Sequence, residues 1–429
     1  MGQEKKRFIL SIGVVICVMC GGGAHVVAQG VGVVDWSDFA FSLTLTVGDT
    51  TDSWGFTSIE DLFDATLPSD WRNLDVGYTD DSAAVAVLNV RGLTAMASFD
   101  AFSNTLVFDI DSLGIHEEFG DFATRDENQE DFEDWIESNG DGILTQMLQK
   151  LVETTPNDPV AGNPNSHMAR LARASFAQGT DVGINVGSTS VRSASEAQQN
   201  QFRIAALNYG SFDAGSLTQD TIVLPISYTK YMSDPRRQLK IDVPIMWMDT
   251  SGSDSYALSI GVGYRLPVTN DWSLTPGIRV GAAGSIDLGA AAISYSGSLT
   301  SNVNLYSGES LKWSIGNMIG YMATNEIDAG DYEVDYDLQN PMTKNGIALE
   351  GPLGGSMFGE PATWKVSVAN TYIFGDDWYI DNFNDAAISF GTRKRGGTDK
   401  WTDLRLGVTY TWTNVDDFEG WAVNFGYAF

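Results

Sequence analysis

The last nine residues, WAVNFGYAF from Trp421 to Phe429, decide the fold, because large apolar side chains occupy every second position. The alternating apolar residues are Trp421, Val423, Phe425, Tyr427 and Phe429. Successive side chains of a β-strand point to opposite faces, so this spacing predicts a strand with one wholly apolar face. In water such a face would need a covering sheet, whereas a strand that faces lipid needs only lipid.

Alternation of the same kind recurs through the second half of the chain. It runs through Leu239–Trp247, Tyr256–Tyr264, Trp364–Tyr372 and Leu404–Trp412, and turn-like clusters separate these runs. Candidate strands start near 201, 219, 236, 254, 272, 288, 311, 344, 363, 386, 402 and 420. The count is about twelve, an even number as in single-chain bacterial barrels, and boundary shifts of a few residues would make it ten or fourteen.

Aromatic spacing independently indicates a membrane-spanning barrel. Three aromatic pairs stand eight residues apart on one strand face: Tyr256 with Tyr264, Trp313 with Tyr321, and Trp364 with Tyr372. Eight residues at ~3.3 Å each, tilted by ~40°, span roughly 20 Å along the membrane normal. That height fits an apolar band between two aromatic girdles, which we assign to these six residues. The alternative is a large soluble β-sandwich, in which the aromatic side chains would form the core.

The N-terminal segment has the composition of an export signal. A basic stretch, Lys5–Arg7, precedes an apolar run from Phe8 to about Cys20, and Val26-Val27-Ala28 suits cleavage. We therefore predict a signal peptide at 1–28, with a retained signal anchor as the alternative. The two cysteines of the chain lie in this segment, so no disulfide framework is expected after it. No run of about 18 apolar residues follows Ala28, which leaves a secreted protein or an outer-membrane barrel.

The region before the barrel differs in kind, and we divide it into an acidic α+β domain at 29–160 and a helix with a Gly/Ser/Asn linker at 161–200. Predicted strands are Phe39–Val47, Ala84–Val90, Leu93–Phe99 and Thr105–Ile110, and the alternative is that some of them join the barrel at 201–429. A capping box, Thr124 with Glu127, begins a helix that Asn139-Gly140 should stop. Further helices are predicted at about Ile143–Glu153 and from Asn163-Pro164 onward. The fold class is thus mostly β, a transmembrane antiparallel barrel preceded by a small α+β domain.

Composition excludes several functions. A net charge of −31 argues against nucleic acid as a partner, because phosphate would be repelled. After the signal peptide only His116 and His167 remain, and neither lies in the predicted barrel. A histidine-dependent hydrolase and a histidine-built zinc site are therefore not expected. The sequence predicts no enzyme, no cofactor and no metal site.

The barrel segment resembles a known family. The terminal strand is similar to the C-terminal signature of Gram-negative outer-membrane proteins, in which a final Phe with alternating aromatic residues addresses the chain to the barrel-assembly machinery. Residues 201–429 resemble the translocator barrel of autotransporters, and most closely the solitary barrels with little or no passenger. The resemblance implies outer-membrane localisation, outer-membrane lipid and the assembly machinery as partners, and a segment before the barrel threaded through the lumen.

Basic residues fall on the strand face opposite the apolar one. They are Arg203, Lys240, Arg265, Arg279, Lys312, Lys365, Arg393 and Arg405. Confined like charges repel unless anions, water or an acidic segment neutralise them. A segment of the chain would plug the barrel, either the acidic stretch Asp126–Asp141 or the linker beside the barrel. The alternatives are an open pore that favours anionic solutes, ordinary lumen polarity, and a surface adhesin that displays the N-terminal domain.

Overall fold

The computed structural model describes residues 38–66, 71, 77–182, 201–204, 208–308, 310–329, 332–357, 359–392, 403–415 and 418–428. The predicted signal peptide at 1–28, the linker from 183 to 200, Arg393 and Phe429 lie outside these residues, as do the side chains of Arg203 and Tyr427.

An antiparallel sheet of six strands forms the N-terminal domain. Its strands are β1 (Phe41–Val47), β2 (Thr50–Phe56), β3 (Ala84–Val90), β4 (Leu93–Phe99), β5 (Leu106–Ile110) and β6 (Ile115–Phe119), in the order β2-β1-β3-β4-β5-β6. β1, β3, β4 and β5 lie where alternation predicts them. β2 and β6 are edge strands of mixed polarity, for which alternation gives no signal. The sheet pairs only with itself, so the alternative that these strands join the barrel is wrong.

The chain has three described α-helices: α1 (Ile59–Thr66), α2 (Arg125–Thr154) and α3 (His167–Gly179). The capping box of Thr124 and Glu127 is present at the start of α2. The predicted stop at Asn139-Gly140 is wrong, because α2, which is 30 residues long, continues through it to Thr154. A glycine inside a helix costs only about 1 kcal/mol relative to alanine, which the contacts at the two ends of α2 can outweigh. No described helix combines the length and the apolarity that a membrane span requires.

Aromatic packing fixes the first half of α2 on the N-terminal sheet. The Phe132 ring lies 5.0 Å from the Phe108 ring and 5.4 Å from the Phe119 ring, and Trp135 contacts both sheet residues. The carboxylates of the acidic stretch consequently project from a helix packed on this sheet. The expectation that Asp126–Asp141 fills the barrel is therefore wrong.

A closed antiparallel barrel of twelve strands forms the second half of the chain. Its first strand is interrupted into β7 (Gln201–Ile204) and β8 (Asn208–Ala214), which both pair with the next strand and with the last. The others are β9 (Leu217–Tyr231), β10 (Gln238–Thr250), β11 (Ser253–Pro267), β12 (Trp272–Ser285), β13 (Ala290–Ser307), β14 (Lys312–Asn325), β17 (Gln339–Met357), β18 (Glu360–Ile373), β19 (Asn382–Thr392), β20 (Asp403–Thr413) and β21 (Phe418–Ala428), while β15 (Ile327–Ala329) and β16 (Tyr332–Val334) form a separate hairpin. The predicted fold class and strand number are confirmed.

The wall of the barrel is apolar outside and polar inside. On β11, Leu258 and Ile260 are 50% and 46% exposed, whereas Ser255 and Ser259 on the opposite face of the strand are buried. The same alternation places Ile278, Ile319, Leu406 and Val423 outside, and Thr300, Asn302, Ser389 and Thr411 inside. An outward band of apolar side chains on a closed ladder is the arrangement that a lipid bilayer requires.

The N-terminal domain sits on one rim of the barrel, which we call the domain rim, where β8, β10 and β12 end. The Ile59 amide donates to the Asp287 carbonyl at 2.8 Å, and the Tyr379 amide donates to the Val152 carbonyl at 2.8 Å. The Ser253 hydroxyl also donates to the Thr57 carbonyl at 2.6 Å. The opposite rim, the terminal rim, carries Gln201 and Ala428, because an even number of strands returns the chain to its starting side.

Arg125 organises two loops of the N-terminal domain and gives a first test of the fold. Its buried guanidinium donates to the carbonyls of Ser82, Ser103 and Asp100 at 2.8 to 3.0 Å and stacks 4.4 Å from the Phe99 ring. Arg125→Ala should destabilise the domain by about 3 kcal/mol, because buried carbonyls lose their donors. Hydrogen exchange on the full-length protein measures this change. Lys150→Ala, at an exposed ion pair, should cost less than about 1 kcal/mol, and equal effects of both variants would contradict the assignment.

Candidate functional site at the inner face of the barrel

A short connector leads from α2 to α3 and holds the start of α3. The His167 and Met168 amides donate to the carbonyls of Pro159 and Val160, each at 2.9 Å. These bonds satisfy amides that the first helical turn leaves without a partner. The predicted start at Asn163-Pro164 comes three residues too early, because Asn163 instead caps a turn, with its side chain accepting from the Asn165 amide at 2.7 Å.

Glycine in the wall lets α3 and the residue after it approach the backbone of the strands. α3 contacts β11, β12, β13, β14 and β17. A Cβ atom at Gly316 of β14 would lie 2.9 Å from the Phe176 ring and 3.0 Å from the Thr180 Cβ. A Cβ atom at Gly281 of β12 would lie 2.7 Å from the His167 ring. Larger residues at these two wall positions would push the helix away.

A shared carboxylate ties α3 to the side of the barrel formed by β17 to β20. Asp385 on β19 accepts two bonds from Arg173, at 2.7 and 3.2 Å, and one from Lys344 at 2.9 Å. The Thr411 hydroxyl donates to the same carboxylate at 2.9 Å. One buried anion therefore compensates a cation from the helix and a cation from the wall.

A second cluster joins the last turn of α3 to β10 and β12. Asp242 accepts from Arg279 at 2.6 Å and from the Gln178 side chain at 2.5 Å. Lys240 donates to the Gln178 carbonyl at 2.6 Å. A cation at the last carbonyls of a helix complements the negative end of the helix dipole.

Asp181, just beyond α3, forms the third cluster at the terminal rim. Its carboxylate lies 2.7 Å from Lys312 Nζ and 3.7 Å from Arg265, and its carbonyl accepts from Lys365 at 2.6 Å. Burial by itself raises the pKa of Asp181, but Lys312 and Arg265 outweigh it and hold the pKa well below its usual range. The carboxylate therefore stays ionised at neutral and mildly acidic pH. The stability that it adds is lost only as the pH falls toward this lowered pKa.

His167 at the start of α3 is neutral. Burial and the nearby Arg279 and Arg170 lower its pKa to about 4. Within the described ranges, no group of three or more His, Cys, Asp and Glu side chains is arranged to hold a metal ion.

A cavity of about 380 Å³ remains beside α3, on the side of β9 and β10. Apolar side chains of the helix and the wall line most of it, among them Leu171, Val223, Ile226 and Met246. Arg170 and Arg173 also reach it from α3. A space of ligand size therefore remains between the helix and the wall.

The structure locates most of the predicted site residues. Lys240, Arg265, Arg279, Lys365 and Arg405 are buried and point inward, and Lys312 contacts Asp181. On the outer face of the terminal strand, Trp421, Val423 and Phe425 are 59%, 47% and 38% exposed. Of the six girdle candidates, Tyr256, Trp313 and Tyr321 are exposed, whereas Tyr264, Trp364 and Tyr372 are half-buried.

Sequence reasoning missed Lys344 and the residues that neutralise the lumen. β17 begins at Gln339 rather than near 344. When the alternation of the strand is counted from Gln339, Lys344 falls on the inward face. Arg170 and Arg173 stand three residues apart on one helix face, a spacing visible in the sequence. Asp181, Asp385 and Glu350, which pairs with Arg405 at 3.2 Å, carry no local signal that separates them from the many loop carboxylates.

Comparisons with known proteins add shape similarities for the barrel half. No family model matches the chain, and no curated protein sequence matches it significantly. The β domain of the Bordetella autotransporter BrkA aligns with a TM-score of 0.41 and 11% identity over 54% of this chain and 98% of that one. The translocator domain of the autotransporter NalP from Neisseria meningitidis gives 0.40 and 10% over 54% and 87%. An outer membrane channel from Pseudomonas putida F1 gives 0.38 and 12% over 58% and 100%.

The geometry of this chain itself indicates where the barrel resides. Twelve strands close without a free edge, and their outward face is mostly apolar, with exceptions such as the exposed Asn317–Asn345 pair. Only helices and closed barrels satisfy their backbone hydrogen bonds within lipid. The chain is a membrane-spanning β-barrel that carries an N-terminal α+β domain.

Asp385→Asn tests the shared carboxylate. Without this anion, Arg173 and Lys344 remain close together in the barrel, and we expect the free energy of unfolding to fall by about 3 kcal/mol. Urea titration of the refolded full-length protein measures the change. Asp234→Asn, which breaks a more exposed pair with Arg236 in the β9–β10 turn, should cost less than about 1 kcal/mol. Equal losses in both variants would show that the buried cluster is not essential.

Proposed function

We propose that the protein is a translocator-like barrel of the autotransporter type, closed by its own helix α3 and displaying the N-terminal domain at the cell surface. The observation that carries the proposal is that bonds at the two ends of α3 lie at opposite rims. Before the helix, the Gly162 carbonyl accepts from the Ile380 amide at the domain rim, at 3.0 Å. After it, Asp181 meets Lys312 and Arg265 near the terminal rim.

The contacts around α3 support occupancy of the lumen rather than adhesion to one wall. Arg170 reaches Thr221 on β9, Gln178 reaches Asp242 on β10, and Arg173 reaches Asp385 on β19. β9, β10 and β19 are not among the five strands that α3 packs against, so the contacts of α3 extend to other parts of the wall. A helix of 13 residues is about 20 Å long, similar to the apolar height of the barrel.

The same arrangement supports an orientation. The C-terminal strand, which the resemblance links to the assembly machinery, ends at the terminal rim, so we assign this rim to the periplasm. The N-terminal domain sits at the other rim and is joined to the barrel through α3. It would therefore stand outside the cell, as the adhesin alternative also requires.

An open pore that selects anions is the competing function. Taken alone, the inward cations favour an anion-selective pore. Most of them are, however, paired with carboxylates, which are Asp181, Asp242, Asp385 and Glu350. A filled lumen predicts little steady current from the full-length protein in a planar bilayer. Large anion-selective current would favour the pore and overturn the plug.

A disulfide tests the position of the helix directly. Thr180→Cys with Gly316→Cys would place two Cβ atoms about 3.0 Å apart, close enough to bridge after a small shift. We expect oxidation of cells to cross-link this pair while the conductance stays low. Thr180→Cys with Ser389→Cys on β19 is the matched control, since a second inward wall position should not bridge. Failure of the first pair, or equal bridging by both, would contradict the docked helix.

Surface labelling tests the orientation. Phe102 in the N-terminal domain is 84% exposed, and Arg236 lies in the β9–β10 turn at the terminal rim. A maleimide carried on a long polyethylene glycol should label Phe102→Cys on intact cells. Arg236→Cys should react only after the outer membrane is permeabilised. Reversal of the two patterns would place the domain in the periplasm.

A further inference from the structure

The cavity beside α3 has a mostly apolar lining that also includes the carboxylates Asp242 and Asp385, each paired with cations, and the cation Arg170. Its volume of about 380 Å³ lies at the lower end of the range of about 300–1,000 Å³ typical of ligand sites. Leu171 and Ala174 line it from the helix, and Val223, Ile226 and Met246 line it from β9 and β10. Such a space suits a single apolar chain rather than a sugar or a nucleotide.

Arg170 provides a charged end to this cavity. Its guanidinium donates to the Asn165 carbonyl at 3.0 Å, to the Asn165 side chain and to Thr221 Oγ1 at 3.2 Å. Among the described residues no carboxylate lies within ion-pair distance of Arg170, whereas Arg173, one turn later, has Asp385. Burial and the nearby Arg173 oppose the charge of Arg170, and Asp385, which pairs with Arg173, offsets this only in part, so a bound anion would stabilise the guanidinium further.

The wall beside the cavity is weakly hydrogen-bonded. Pro225 of β9 pairs directly with Pro244 of β10, and neither has an amide hydrogen to donate. The β10–β11 ladder is also interrupted, because pairing passes from Asp242 with Gly261 to Ile245 with Leu258. Proline removes hydrogen bonds between neighbouring strands, so in most sheets it occurs only at edges and bulges.

The cavity reaches both faces of the wall at this interruption. Met246 and Ala257, which line it, are 5% and 8% exposed and point inward. Leu258, which also lines it, is 50% exposed and points outward to the lipid. The space inside the lumen therefore adjoins the bilayer where the ladder bonds are missing.

We propose that this cavity binds a long-chain fatty acid, with the carboxylate on Arg170 and the chain between α3 and strands β9 and β10, and that the ligand exchanges with the bilayer beside Pro225 and Pro244. The carboxylate of the ligand pairs with Arg170, which has no carboxylate of the described residues within ion-pair distance. The alkyl chain makes the van der Waals contacts that the apolar lining of the cavity lacks. The volume favours one chain over a two-chain phospholipid. The site rests on α3 lying in the lumen, as proposed above.

Binding is tested with the full-length protein in phosphatidylcholine nanodiscs. The probe is palmitic acid with a spin label on its chain, and the measured quantity is the immobilised fraction of the spectrum. Wild-type protein should bind one probe. Arg170→Gln should weaken binding about 10-fold, the loss expected for one charge-assisted hydrogen bond. The corresponding labelled alcohol should bind wild-type protein more weakly by a similar factor.

Two further variants keep this test decisive. Ala174→Phe fills the cavity and should abolish immobilisation, whereas Arg236→Gln, in a turn outside the cavity lining, should leave it unchanged. Heat-dependent gel mobility checks that each variant is folded. A wild-type protein that does not immobilise the probe, or an affinity that Arg170→Gln and Ala174→Phe leave unchanged, would overturn the site.

The path of exchange has its own test. Pro244→Val restores an amide donor to the ladder and should slow uptake of the probe from the nanodisc bilayer at least several-fold without changing the equilibrium affinity. An unchanged rate would place the path at a rim and overturn the exchange through the wall. The Thr180–Gly316 cross-link separates the two proposals, because bridging without probe binding would leave the docked helix intact and reject only the ligand site.

Discussion

The requirement that every backbone donor and acceptor be paired inside lipid is the constraint on which the rest of this structure depends. Closure of the ladder from β21 back to β7 and β8 removes the free edges that a bilayer would not tolerate. Alternation then has two consequences. Exposed apolar side chains point mainly outward, and the charged side chains that point into the confined lumen need their charge compensated.

Ion pairs and hydrogen bonds with the inner face of the barrel hold α3 where it lies. Arg173 and Gln178 of α3 pair with Asp385 on β19 and Asp242 on β10. Asp181, just beyond α3, pairs with Lys312 on β14 and offsets part of the excess of cations that the wall contributes. Inward glycines at positions such as Gly281 and Gly316 leave room for the helix backbone. Where this packing is incomplete, beside Arg170, a cavity remains next to the paired prolines of β9 and β10.

Much of the architecture could be read from the sequence, because periodicity is a local property. Alternation located the N-terminal strands β3 and β4 at their observed bounds and gave the number of barrel strands. It failed where local signals are weak or misleading. β2 is a polar edge strand, β17 begins five residues before 344, and α2 passes through Asn139-Gly140 because contacts at both of its ends outweigh the cost of a glycine.

Side-chain spacing in the sequence predicts a barrel of about twelve strands, the strand face that meets lipid, and the separate sheet before the barrel. Each of these follows from the pattern along one segment of the chain. Only the tertiary structure decided which carboxylates neutralise the lumen, that α3 rather than the acidic stretch contacts the wall, and that Pro225 faces Pro244. The physical reason is distance along the chain. Arg173 and Asp385, or Asp181 and Lys312, are far apart in the sequence and meet only when the folded barrel brings its strands against α3 and the residues after it.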